Sequence, residues 1–465
     1  MATIQTKKNQ QQQKLVMPNS MKQYHLQLLQ SLQSSSSSSF QQIDGSTIWT
    51  QQSQLLTQVV NRIRRSTTTW LFSQVFQQEH NLVKYFTSFR QLFLLGDGDL
   101  AVKWLEGLQY ISLSSSSSPG KRRRRRQEEE GESLSQTDMK DHHHMDIWQQ
   151  QKREWRALLV KASIGTDSED QLDGYTFDTF DTKDTFESLL AIDEDEDHHH
   201  YGGRLVYTLQ WPIDLFLGEQ DMARYSSLWS FLMGLKKVQM ALSHVFTTTT
   251  ADQGQVEVEG QEDDEDDDDP GERLIWRLRS MMLFWIDTLW SHVQGNVITR
   301  HYDQLMMACQ PTTSSTVPLD FDKVQEAHEH YLMELTRGCL LSTTECRKAL
   351  IILLQTCMNF CNMVRNEAPL KKKKKKINKK PMSAAEIVST WTRQLDTTGS
   401  TARMEQLSIL EETFTQNSDH LFDLLSNQQQ DMKISGHLTE LLMRLDYNKW
   451  YSGQRYKHIP DPLDY

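Results

Sequence analysis

Between residues 272 and 310, apolar side chains recur at intervals of three and four, so that Leu274, Leu278, Met282, Trp285, Leu289 and Val293 keep one unbroken face. Only a helical period brings such positions onto a single stripe, and a stripe this long has to be covered by neighbouring helices. The same spacing organises most of the other apolar sequence. Leu55, Leu56, Val59, Val60 and Ile63 form a stripe that Trp70, Leu71 and Val75 continue, within a helical stretch from 53 to 110. Met222 to Phe246 reads as a long helix, and Asp320 stands where it would N-cap a helix with the stripe Val324, Ala327, His328, Tyr331, Leu332 and Leu335. Residues 343–365 are so apolar that they are expected at the centre of a bundle, with further helices over 383–396, 402–427 and 435–450. One segment breaks the period: in "RLVYTLQWPI", 204–213, Leu205, Tyr207, Leu209 and Trp211 alternate until Pro212 stops the ladder, which predicts a strand. The fold class expected is all-α, an elongated helical bundle with a small β element, interrupted by low-complexity insertions.

Those insertions reduce the foldable part of the 465 residues. Residues 1–50 are Gln- and Ser-rich and too polar to offset the entropy of ordering, so they are expected to be disordered. After the helical segment 51–111, in which "LLGDGDL" at 94–100 supplies a break between two helices, a polar tract runs over 112–200. It carries "KRRRRR", two "HHH" runs and, from Thr166 to Asp197, thirteen acidic residues against Lys183; within it only "MDIWQQQKREWRALLVKA", 145–162, is expected to be helical. Residues 201–465 form the main helical domain, with disordered loops expected at about 247–271 and 367–382 around the acidic and Lys-rich runs. The formal net charge of −12 could come from one solvated acidic segment and says little about partners. Five cysteines without an apolar leader fit a reducing, intracellular setting with thiols packed as small apolar side chains. The longest apolar run, "ALIILL" at 349–354, falls far short of the ~20 residues needed to cross a bilayer, so no membrane span is expected.

Chemistry-bearing motifs are sparse. In "AHEHYL", His328 and His330 project about 200° apart on a helix, whereas a helical zinc pair needs ligands one turn apart; a hydrogen-bonded core histidine is the better reading of His328. "GDGD" at 96–99 lacks the Gly-Lys-Ser of a phosphate loop and the terminal Glu of a calcium loop. Cys357 and Cys361 miss the spacing of a redox pair, and no nucleophile elbow, Walker or dinucleotide motif occurs. No enzyme activity, no cofactor and no metal are therefore expected. The basic runs Lys121–Arg126 and Lys371–Lys376 could serve a nucleic-acid-binding or nuclear-import-linked adaptor, but neither contains an aromatic platform for bases, so nucleic acid is not the main partner expected.

The stretch "LLMRLDYNKWYS", 441–452, changes character midway: Leu438, Leu441, Leu442 and Leu445 keep helical spacing, and then charged residues alternate with aromatic ones. Leu438, Leu442 and Leu445 are expected in the core. The rest is either a helix end folded back on the bundle or a partner surface, since Arg, Tyr and Trp are common interface anchors. Seven segments in order, "VVNRIRRSTTTWLF", "FRQLFLLGDGDLAVKWLEGL", "LQWPIDLFL", "RYSSLWSFLMGLKKVQMAL", "RLRSMMLFWIDTLWSHVQGNVI", "DFDKVQEAHEHYLMEL" and "LLMRLDYNKWY", resemble the C-terminal half of the gamma-tubulin complex proteins. The resemblance implies a non-catalytic α-helical scaffold that holds gamma-tubulin, joins other gamma-tubulin complex components and helps template microtubule nucleation. It implies a cytoplasmic, cytoskeletal location at microtubule-organising centres or spindle poles. It favours the partner-surface reading, with Arg444, Asp446, Tyr447 and Asn448 as the gamma-tubulin contacts. The match begins near Val59, so nearly all of the half that makes lateral contacts in that family is missing; truncated gene and short form are both open, and so is assembly into rings by this chain.

Overall fold

A computed structural model of the chain describes residues 17–38, 45–72, 81–116, 137–181, 185–190, 201–253, 270–309, 321–377, 393–430 and 436–456. These fall into two compact units, one of residues up to Val83 with Ala308–Ala327, the other of Lys84–Met307 with His328–Tyr465.

The first unit contains α1 (Asn19–Ser38) and α2 (Gly45–Leu71), which pack on each other. Residues 19–38 and 45–50 are thus helical where disorder was expected: Gln and Leu are good helix formers, and a helix satisfies its own backbone even where it buries little. The price in burial is visible on α2, whose stripe residues Leu55, Leu56 and Val60 remain 42%, 56% and 53% exposed. Arg64 pairs with Asp322 at 2.7 Å inside this unit.

The second unit is built on α3 (Leu82–Leu92, from Lys84 on), α4 (Gly98–Ser116), α5 (Thr137–Ser163), the strands β1 (Tyr175–Asp181) and β2 (Tyr201–Tyr207), α6 (Glu219–Gln253), α7 (Pro270–Ser291), α8 (Arg300–Cys309, up to Met307), α9 (Phe321–Gly338, from His328 on), α10 (Thr344–Ile377), α11 (Arg393–Gln430), α12 (Gly436–Leu445) and α13 (Trp450–Tyr456). α6 packs on β2, α7 and α10, and α11 packs on α7, α10 and α12. Tyr225, Leu228, Trp229, Phe231, Leu232, Met233 and Leu235 of α6 are all buried, so this helix is covered on every side. The central place expected for 343–365 therefore belongs to α6. α10 keeps Leu350, Leu353, Leu354, Cys357 and Phe360 inward, but Ile352 is 47% exposed. Its helix also runs on through Lys371–Lys376, where a loop was expected, because lysine itself favours helix.

The β element is a hairpin rather than a lone strand: β1 and β2 pair antiparallel, with Tyr175 opposite Tyr207 and Asp181 opposite Tyr201. β2 ends at Tyr207, so Leu209 and Trp211 lie beyond it, and β1 lies in the acidic window that composition assigned to solvent. Buried Tyr175 and Phe177 carry the period-two signal there, and Phe186, Leu189 and Leu190 are buried just after it. Trp155 of α5 lies on this hairpin: Trp104, Trp155, Phe177 and Trp229 form one aromatic group, with ring centroids 5.5–5.8 Å apart. Gly203 has no room for a side chain, since a Cβ would stand 1.7 Å from Trp155 Cζ3.

Asp97 resolves the "GDGD" motif as a helix start. Its Oδ1 accepts from the Leu100 amide at 3.1 Å, capping α4, while Oδ2 accepts from Ser168 Oγ at 2.8 Å. The N-cap expected at Asp320, residues 383–392 of the helix expected over 383–396 and the basic run Lys121–Arg126 lie outside the described residues.

Candidate protein-docking surface

α12 places the closing stretch. Leu438, Leu441, Leu442 and Leu445 are buried, as their spacing requires, against α7, α11 and the turn that follows α7. The opposite side of the same helix carries Met443, 62% exposed, and Arg444, which pairs with Glu440 at 2.6 Å across one helical turn. Such an exposed pair adds little stability, but it orients the guanidinium. The Glu440 carboxyl is held below the usual carboxylate range, first by the Asn296 amide and also by Arg444 and His292.

α12 ends in a tight turn. The Lys449 amide donates to the Asp446 carbonyl at 2.9 Å, and Lys449 takes a left-handed φ of 54°. Asp446 Oδ1 accepts from the amides of Tyr451 at 2.9 Å and Ser452 at 3.2 Å, satisfying two otherwise orphan donors at the start of α13. Tyr451 turns inward. Its ring stacks on Phe422 of α11 at 4.4 Å and 10°, and its hydroxyl accepts from Trp285 Nε1 of α7 at 2.7 Å. Burial raises the Tyr451 phenol above its ordinary value, with hydrogen bonds to Ser418 and Trp285 pulling the other way. With Tyr451 fixed from below, Tyr447 is left 81% exposed and Trp450 49% exposed, beside exposed Asn448 and Lys449.

The cluster is therefore two-sided. Arg444, Tyr447 and Asn448 face solvent, where a partner could meet them. Asp446 does not match the outward contact expected of it: it is half-buried and its carboxylate is engaged by the α13 amides. Met443 and Trp450 are the side chains that residue-by-residue reading left out of the contact set. Their signal was present, since Met443 is a large apolar residue on the polar side of a stripe of leucines and Trp450 belongs to the charged and aromatic run that follows it.

Elsewhere the polar groups are structural. His328 Nε2 lies 3.0 Å from the Tyr225 hydroxyl, and its ring stacks on Phe86 at 5.1 Å, whereas His330 is exposed. All five cysteines are free and buried, and burial pushes the thiols of Cys309 and Cys361 up to about 12, far from the thiolate a nucleophile needs. Among the described residues no helix is long and apolar enough to cross a membrane, and no three His, Cys, Asp or Glu side chains converge.

Comparison with known proteins agrees with this architecture. The gamma tubulin complex component C-terminal family matches residues 82–451. That span starts at α3, later than the Val59 at which the sequence resemblance begins. Gamma-tubulin complex component 4 of Homo sapiens is 26% identical over 249 residues, covering 53% of this chain and 30% of that protein. The corresponding homolog of Medicago truncatula is 22% identical over 259 residues, and that of Arabidopsis thaliana 21% over 255. The matched region is thus about 30% of the length of these relatives. With the family's C-terminal region spanning helices from α3 to the start of α13, the chain belongs to the gamma-tubulin complex component family.

Proposed function

We propose that the chain is a non-catalytic scaffold that binds gamma-tubulin as part of a gamma-tubulin complex and so supports microtubule nucleation at microtubule-organising centres. Family membership supports the partner, and the observation that carries the site is the α12–α13 end, where Met443, Tyr447 and Trp450 stand exposed on a turn fixed from beneath by Asp446 and Tyr451. Large side chains held in place before binding lose little entropy on docking, which makes them effective anchors. Arg444 and Asn448 supply the surrounding polar contacts, and Asp446 acts by shaping the turn. The mechanism is geometric: a rigid body that fixes the orientation of gamma-tubulin removes part of the orientational cost of building a lattice, provided several such bodies lie side by side. A cytoskeletal location at spindle poles and association with other complex components follow from the same reading.

The test is retention of gamma-tubulin by the immobilised full chain. Wild type should retain it at micromolar protein, and the Met443→Ala, Trp450→Ala pair should weaken binding by about 10-fold or more, the usual scale for anchor residues. No retention by wild type refutes the partner, and full retention by the double variant refutes the site. The adaptor reading through the basic runs predicts instead binding of nucleic acid that falls steeply with salt and is lost on replacing Lys371–Lys376.

A further inference from the structure

α2 is apolar over a wider arc than one neighbouring helix covers. At about 100° per residue, Leu55, Val59, Ile63, Leu56 and Val60 follow one another around the axis and together span about 140°. The seam that a single partner helix fills is narrower. Cover is accordingly incomplete: Val59 and Ile63 are half-buried, whereas Leu55, Leu56 and Val60 stay exposed, as do Leu26 and Leu29 of α1. Thr57, Asn61, Gln54 and Gln58 occupy the opposite side of α2, all exposed and none charged.

Charge on these two helices has one sign. They contain Lys22, Arg62, Arg64 and Arg65 and no Asp or Glu. Arg62 falls about 20° outside Leu55 and Arg64 about 40° outside Val60, so a cationic head flanks the apolar arc on either edge. A long side chain placed there lays its stem on apolar surface and keeps its charge in polar surroundings. Arg64 meets Asp322 at 2.7 Å, while Arg62 and Arg65 are exposed. A second copy would set cation against cation, and one added helix would leave part of the arc in water. A flat anionic surface answers both features.

We propose that the exposed face of α2 docks on an anionic phospholipid surface, with Leu55, Leu56 and Val60 entering the boundary between headgroups and acyl chains and Arg62 and Arg65 meeting lipid phosphate and carboxylate groups. The contact is peripheral, since no helix among the described residues is long and apolar enough to cross a bilayer. The face belongs to the first compact unit and shares no residue with the α12–α13 end, so lipid and gamma-tubulin binding are tested apart.

The experiment is flotation of the full chain with vesicles. Wild type should float with vesicles of phosphatidylcholine mixed with phosphatidylserine, bind phosphatidylcholine alone at least about tenfold more weakly, and be released as salt is raised. Leu56→Gln with Val60→Gln, and separately Arg62→Gln with Arg65→Gln, should each weaken binding by about tenfold while keeping the circular dichroism of wild type. If the first pair folds poorly, the arginine pair decides. No flotation of wild type, equal binding to both vesicle types, or binding that a folded pair leaves unchanged overturns the proposal. Retention of calcium-loaded calmodulin, an acidic protein with an apolar groove, without flotation overturns it in favour of a protein partner. A concentration-dependent dimer that L56Q/V60Q abolishes, again without flotation, overturns it in favour of a second copy.

Discussion

Replacing Tyr451 by Phe removes the hydroxyl through which the docking turn bonds to the bundle. The ring is kept, so its stack on Phe422 at 4.4 Å survives, and the acceptor for Trp285 Nε1 is lost together with the bond to Ser418. Trp285 is 2% exposed, so its N–H is left buried without that acceptor. A buried donor stranded in this way costs about 1–3 kcal/mol, and because Tyr451 itself is only partly covered, water can reach the gap and the lower end applies, about 1–1.5 kcal/mol. In thermal unfolding followed by tryptophan fluorescence this should lower Tm by roughly 2–4 °C. A double-mutant cycle with Trp285→Phe separates the bond from the cavity that the smaller ring creates, and should give a coupling of about 1 kcal/mol. Gamma-tubulin affinity should weaken as well, since Trp450 and Tyr447 are held outward by the same anchor. A Tyr451→Phe protein within about 0.3 kcal/mol of wild type, with no coupling to Trp285, would refute the idea that this bond fixes the turn.

Gly203→Ala should be severely destabilising, by about 3 kcal/mol or more, because its Cβ would meet the ring of Trp155 at 1.7 Å and that ring is fully buried; a denaturant midpoint equal to wild type refutes it. His328 supplies a pH dependence. Burial, opposed by Asp221 and reinforced by Arg224, lowers it from 6.5 to about 4, so between these values the unfolded chain binds a proton that the folded one does not. Stability from this group is complete above pH 6.5 and is lost as pH falls toward 4, by about 2 kcal/mol between pH 7 and pH 5; urea unfolding at the two pH values should show the loss in wild type and not in His328→Gln.

The sequence alone determined the helical character of the chain, because a 3.6-residue period over Leu274 to Val293 or Val324 to Leu335 has no other compact solution. It also placed Leu438, Leu442 and Leu445 inside, and it read His328 as a core residue. Composition misled where a few aromatic residues outweigh many acids: Tyr175 and Phe177 form a buried strand inside the acidic window because β2 and Trp155 are there to cover them. Which apolar helix is central was equally beyond local pattern, since α6 and α10 are both rich in apolar residues and only the packing of neighbours covers α6 on every side. The same holds at the docking face. Asp446, Tyr447, Trp450 and Tyr451 are neighbours along the chain, yet only the tertiary structure turns Asp446 to its amides and Tyr451 to Phe422 and Trp285, and so leaves Tyr447 and Trp450 in water. Periodicity fixes which side of a helix is buried; where the helix ends, the partners brought from α7 and α11 decide which aromatic is anchor and which is surface.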